Sequence, residues 1–237
     1  DIVDRELAGG NKVLVFCRYH EQIKAYARFL EERGIEYCMY TGEITKQGYK
    51  KDAAGHDIIF EVDEFGSYKL DAQGRPIEKQ QGKRMLAIDY ERLMFQNNAS
   101  KKVMLATYSA GSQSVTFTAA TAMIFDDLPK DYTEQYQAED RNHRIDDKRR
   151  KPEVRYYSLV SQYPRDFLAA MTRYMTQKRG PNGTEIDVPA FERWFEQGTL
   201  DQVHFANLAA QRTSFELLNN GIAVDPELVE AERPFAM

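Results

Sequence analysis

The sequence predicts an α/β fold, an open and mainly parallel sheet flanked by helices. Three observations carry that expectation. Residues 13–17, Val-Leu-Val-Phe-Cys, form an uninterrupted run of strand-forming apolar side chains, as in a strand covered on both faces. A helical segment and a second strand follow at short spacing, a strand–helix–strand unit that lays its strands parallel. The same alternation then resumes from residue 84 onward.

After the first strand, Ile23, Tyr26, Ala27 and Leu30 recur at helical spacing, so residues 20–33 read as a helix that Gly34 ends. Residues 35–40 read as the second strand. Leu86, Tyr90, Leu93 and Met94 share a face of a helix over 84–97. Strands are expected at 102–106 and at 122–125, the latter running into Asp126-Asp127-Leu128-Pro129. A helix at 132–140, a strand at 154–160 and a helix at 164–177 complete this domain.

Between residues 45 and 83 the rhythm breaks. Apolar stretches at 58–62 and 68–70 flank Glu64-Phe65-Gly66-Ser67, and a second glycine turn follows at 71–76. Residues 46–83 therefore read as an inserted β-hairpin or small meander. Residues 179–183 read as a linker. Beyond it, 189–197 and 200–219 read as helices, with Trp194 and Phe195 packing the piece down, and an acidic tail from Asp225. The expected division is a domain over 1–178, carrying the 46–83 insertion, and a C-terminal helical extension over 179–237. The chain reads as free of internal repeats.

At 237 residues and a net charge of −5, the chain is long enough for a sizeable core and is not a general electrostatic binder of nucleic acid. Contact with a nucleic-acid backbone must come from a local patch or from backbone amides. No apolar run suggests a membrane span, and no secretory signal is evident. The first residue is Asp1 rather than methionine, as expected of a fragment. Cys17 and Cys38 lie in strand-like runs and read as buried free thiols, which fits an intracellular setting. His20, His56, His143 and His204 are too scattered for zinc spacing, so no metal site is expected. The basic run at 148–151 reads as a solvated loop.

Open parallel sheets place ligand sites beyond the C-terminal ends of their strands. Three segments fall there. One is Arg18-Tyr19 after the first strand. The second is Thr107-Tyr108-Ser109-Ala110-Gly111-Ser112, small and hydroxyl residues that let backbone amides approach phosphate oxygens. The third is Gln137-Ala138-Glu139-Asp140-Arg141-Asn142-His143-Arg144-Ile145, whose two arginines present permanently charged forks suited to phosphate.

These segments resemble the second RecA-like lobe of superfamily-two helicases, and within it the Swi/Snf-like DNA translocases. The last motif of that family reads Gln-Ala-x-Asp-Arg-x-His-Arg-Ile; Gln137, Ala138, Asp140, Arg141, His143, Arg144 and Ile145 match it. Residues 13–16 resemble the family's fourth motif, Tyr40-Thr41-Gly42 the short loop after the next strand, and 107–118 the fifth motif. The resemblance covers about residues 12–177. It implies that Arg141 and Arg144 are arginine fingers reaching ATP on the first lobe, with Gln137 ordering the same interface. It implies that Thr107, Tyr108, Ala110 and Gly111 line the DNA-phosphate contact, and that Arg18, Thr41 and Gly42 touch the tracked strand. The chain departs from the pattern at Ser112 and Ser114, where glycines are usual, at Ser109, where an arginine is, and at Asp146-Asp147, where Gly-Gln often stands.

The sequence holds no Gly-x-x-x-x-Gly-Lys-Ser/Thr loop and no acidic magnesium box. The resemblance therefore implies half of a composite ATPase. ATP and Mg2+ would be held mainly by an N-terminal RecA-like lobe of the same polypeptide, with duplex DNA as the partner. The setting would be cytoplasmic and nucleoid-associated in a bacterium or phage, nuclear in a eukaryote. The alternative is a non-catalytic nucleic-acid-binding or scaffold domain that keeps the fold. No Gly-x-Gly-x-x-Gly follows the first strand, which argues against a dinucleotide-binding enzyme.

Overall fold

The computed structural model describes residues 2–111, 115–143, 154–159 and 200–219. The chain divides into two compact units, residues 1–129 with 133–158, and residues 130–132 with 159–237.

The first unit is built on a five-stranded sheet of order β2-β5-β1-β6-β7, parallel throughout. Its strands are β1 (Val13–Cys17), β2 (Tyr37–Tyr40), β5 (Val103–Thr107), β6 (Ala122–Phe125) and β7 (Arg155–Ser158). Every residue of β1, β5 and β6 is buried, which is why these segments read as unbroken apolar runs rather than as alternation. In register, Leu14 and Phe16 share a face with Met104, Ala106, Met123 and Phe125. That face packs on Ile88, Met94 and Phe95 of α4 (Ala87–Asn97) and on Phe117.

The helix α2 (His20–Glu32) ends in a Schellman arrangement. Gly34 takes φ +63°, its N–H donates to the Glu31 carbonyl, and the Ile35 N–H donates to that of Leu30. At the far end of α4, the Lys12 ammonium donates to the carbonyls of Phe95 and Asn98. A cation there satisfies carbonyls that the helix leaves without partners.

Two short helices lie where the sequence suggested none. In α1 (Ile2–Ala8), Glu6 is buried. Its carboxylate accepts from Asn11 Nδ2 (3.0 Å), Arg155 Nη2 (3.0 Å) and the Tyr157 hydroxyl (2.6 Å), so it joins α1 to the edge strand β7. The helix α3 (Gly42–Lys46) is capped by Thr41, whose hydroxyl accepts from the Ile44 N–H at 3.4 Å. The helix expected to begin at residue 84 begins at Ala87 instead, because Lys83–Arg84 forms β4 against β3 (Ile59–Phe60).

The insertion is a repeat, which corrects the expectation of none. Asp52, Asp63 and Asp71 each open an Asp-x-x-Gly-x turn. In each turn the aspartate Oδ1 accepts from the N–H groups two and four residues on, and the glycine N–H donates to the aspartate carbonyl. The glycines Gly55, Gly66 and Gly74 take φ of +87°, +79° and +76°, the left-handed position of a three-residue hairpin loop. Bridges Lys51↔Asp57, Val62↔Tyr68 and Leu70↔Pro76 flank the turns. The strands then close on one another: Lys69 N–H donates to Glu61 O, Ile77 N–H to Lys69 O, and Glu61 N–H to Ile77 O. Phe60, fully buried, seats this module against Tyr90 of α4 at 5.8 Å between ring centres.

The remaining helices are α5 (Tyr108–Gly111), α6 (Tyr132–His143) and α7 (Leu200–Asn219). In the second unit, Gln211 of α7 accepts the Tyr132 amide at 3.0 Å. The helices expected at 164–177 and 189–197, the linker at 179–183, Trp194, Phe195 and the tail lie outside the described residues. No helix among the described residues is long and apolar enough to cross a membrane.

Candidate nucleotide and nucleic-acid interface

Register aligns the C-terminal ends of β2, β5, β1 and β6: Tyr40 lies beside Ala106, Ala106 beside Phe16, and Phe16 beside Phe125. Thr41, Thr107, Arg18 and Asp126 follow along one sheet edge. The connection from β1 turns toward β2, and that from β6 turns toward β7, so the crevice between their ends is a switch point of the sheet.

Arg18 stands over that crevice. Its backbone N–H donates to Asp127 Oδ2 (3.2 Å), and its Nη2 donates to the Leu128 carbonyl (3.0 Å) and pairs with Glu134 Oε2 (3.3 Å). The guanidinium lies 5.3 Å from the centre of the Tyr108 ring. That ring stacks on Phe16 (5.2 Å) and Phe125 (6.3 Å), and its hydroxyl donates to the Asp127 carbonyl at 2.7 Å. Burial pushes the Tyr108 hydroxyl up, with Glu134 adding to the effect. Tyr108 is thus a neutral donor locked under Arg18.

Behind it, Asp126 accepts from the Tyr26 hydroxyl at 2.8 Å. Burial raises the Asp126 carboxyl above the ordinary aspartate range, Tyr26 opposes the rise, and Asp127 adds to it. Burial and these two carboxylates push the Cys17 thiol up, so Cys17 is inert rather than nucleophilic at neutral pH. Among the described residues, no group of three or more His, Cys, Asp or Glu side chains could hold a metal ion.

Thr41 and Thr107 are both buried, Thr41 as the cap of α3. Gly42 opens α3, and a Cβ there would meet nothing within 4 Å. Ser109 is exposed, Ala110 is partly buried against the core, and Gly111 closes α5. Ser112 and Ser114 lie outside the described residues. The chain emerging beyond them is pinned twice. Gln96 holds the Thr116 carbonyl and the Ala119 amide, and the Phe117 N–H donates to the Arg141 carbonyl at 2.8 Å.

Along α6, Ala138, Arg141 and Asn142 form the buried face and Gln137 is exposed. Arg141 is only 8% exposed. Its charge reaches Tyr40, whose hydroxyl burial and Asp89 push up and Arg92 and Arg141 pull back. Arg144 lies outside the described residues. The structure therefore gathers Arg18, Thr41, Gly42 and residues 107–111 on one edge and brings Arg141 within electrostatic range of it, while Gln137 faces outward. Sequence reasoning gave no role to Glu134, Tyr26 or Asp127; the one available signal was the Asp126-Asp127 pair directly after a strand.

Neither a protein-family model nor a curated protein sequence matches the chain. Among solved structures it is similar to the C-terminal part of the Fun30 ATPase domain, at 16% identity and a TM-score of 0.42, over 67% of this chain and 36% of that one. It is similar also to the SWI2/SNF2 ATPase core domain of Sulfolobus solfataricus, at 16% identity and a TM-score of 0.42, over 94% of this chain and 33% of that one. The chain thus spans about a third of the length of these structures.

Proposed function

We propose that this chain is the second motor lobe of an ATP-dependent DNA helicase or translocase. The observation that supports the reading is that the ends of β1, β2 and β5, whose segments resemble three helicase motifs, share one edge of one parallel sheet, with α6 anchored at that edge. Arg141 and Arg144 supply cationic forks to the departing γ-phosphate of ATP, and Gln137 orders the lobe interface. ATP would supply the phosphoryl group, and Mg2+ would neutralise charge developing on its phosphates. Holding both falls to a companion lobe of the same polypeptide, since this sequence has no phosphate loop.

Thr41, Thr107 and Tyr108 turn their side chains inward. Contact with a DNA backbone therefore falls to main-chain groups around Gly42, Ala110 and Gly111. Duplex DNA is the substrate and the setting is intracellular, in the nucleoid or nucleus. The test is Arg144→Ala in the complete polypeptide. DNA-stimulated turnover should fall on the order of 10³-fold, as for loss of an arginine finger, with DNA affinity unchanged. Near-normal turnover rejects the assignment.

A second reading, a non-catalytic nucleic-acid-binding or scaffold domain, is favoured by the burial of Arg141. It predicts no DNA-stimulated ATP hydrolysis by the unaltered polypeptide.

A further inference from the structure

We infer that Arg18 and Glu134 are positioning residues that fasten the β5–α5 segment to α6, so that the segment facing nucleic acid and the helix carrying Arg141 move as one piece. The inference rests on the motor reading for its functional consequence, not for its geometry. Five connections meet at Arg18 and Tyr108, and those among Arg18, Tyr108 and Asp127 close a ring. The Arg18 fork lies on the Tyr108 ring and bonds the Leu128 carbonyl and Glu134; the Arg18 amide holds Asp127, and the Tyr108 hydroxyl holds the Asp127 carbonyl. Tyr108 opens α5, and Glu134 lies in the first turn of α6.

At its other end, α6 is joined to the continuation of the same loop by the Phe117–Arg141 backbone bond. The β5–β6 connection is therefore tied to α6 at both ends, through a charged pair at Arg18 and a backbone bond at Phe117. The Arg18 and Glu134 side chains are each 31% exposed, where a planar fork resting on an aromatic face and a carboxylate holds its direction better than a lysine would.

A different arrangement would use the same atoms: Arg18 as a direct phosphate contact, with Glu134 competing for it. Glu134→Gln in the complete polypeptide separates the two. The fastening predicts that amide exchange rises about tenfold or more in both 108–111 and 133–137, while the Phe117 amide keeps its protection. It also predicts that DNA affinity and unstimulated ATP turnover stay within about twofold, while DNA stimulation drops at least fivefold. Tighter DNA binding with stimulation intact, or exchange rising in 133–137 alone, overturns the inference. Arg18→Lys, which keeps the charge and loses the fork, should reproduce the exchange result; unchanged exchange in that variant also overturns it. Absence of stimulated turnover in the unaltered polypeptide rejects the motor reading, and the exchange measurement still decides the fastening.

Discussion

In the sheet, Val15 lies between Leu105 and Ile124, residues remote along the chain; in the inserted module, Asp63 bonds the amides of Phe65 and Ser67, its near neighbours. The sheet holds because apolar strands are covered on both faces, so each strand depends on all the others. The module holds because each turn closes itself, and the buried Phe60 seats it on the core. Damage to the first should spread, and damage to the second should stay where it is made. The long-range pairing of the sheet also makes it the slower part to assemble, since loop closure precedes its contacts.

The largest effect is expected at Glu6, where the sheet edge depends on one buried carboxylate. Glu6→Ala removes three hydrogen bonds to a charged acceptor, from Asn11, Arg155 and Tyr157, and should lower unfolding free energy by about 3–5 kcal/mol. Urea unfolding measures this, and a loss near zero would mean that β7 is held by other means.

Next come two glycines in turns of the same design. At Gly74, with φ +76°, a Cβ would sit 2.2 Å from the Asn97 carbonyl oxygen; at Gly55, with φ +87°, it would meet nothing within 4 Å. Gly55→Ala should cost about 1–2 kcal/mol, the left-handed penalty alone. Gly74→Ala adds a backbone clash and should cost on the order of 3 kcal/mol. Equal losses would show that Gly74 is not lodged against the end of α4.

The smallest effect is acid titration, which carries opposite signs in the two regions. Backbone amides of His56 and Ala54 hold the Asp52 carboxyl below the ordinary 3.8, and those of Arg75 and Gln73 do so for Asp71, alongside the Arg75 guanidinium. Their contribution to stability is complete above 3.8 and fades as pH falls through the lowered values. Burial raises Asp126 above 3.8, so its contribution is complete below 3.8 and fades as pH rises through the raised value. Carboxyl chemical shifts followed by NMR should place Asp52 and Asp71 on one side of 3.8 and Asp126 on the other; a common midpoint removes the contrast.

The same contrast explains what the sequence revealed. β1, β5 and β6 were legible because full burial forces continuous apolar runs, and α2 because Ile23 and Leu30 face the core and Gly34 supplies its stop. α1 was not legible, because its buried Glu6 reads as a surface charge until Arg155 and Tyr157 arrive from the far end of the chain. α3 is a single capped turn opened by glycine. The repeat stayed hidden because Ile58-Ile59-Phe60 interrupts its spacing, so that only the Asp63 and Asp71 copies start eight residues apart. At the site, the strand-end segments and α6 were legible from residue types. The Arg18–Glu134 contact was not, because a charge pair between separate elements leaves no periodicity.

The three mutual hydrogen bonds of Glu61, Lys69 and Ile77 leave these strands no open flank at that level. Copies at Asp63 and Asp71 start eight residues apart, and Tyr49 bridges Leu86, so the module departs from and returns to the core at one place. Whatever its length, the module leaves and rejoins the core between Tyr49 and Leu86, so its span is set there rather than by α3 or α4.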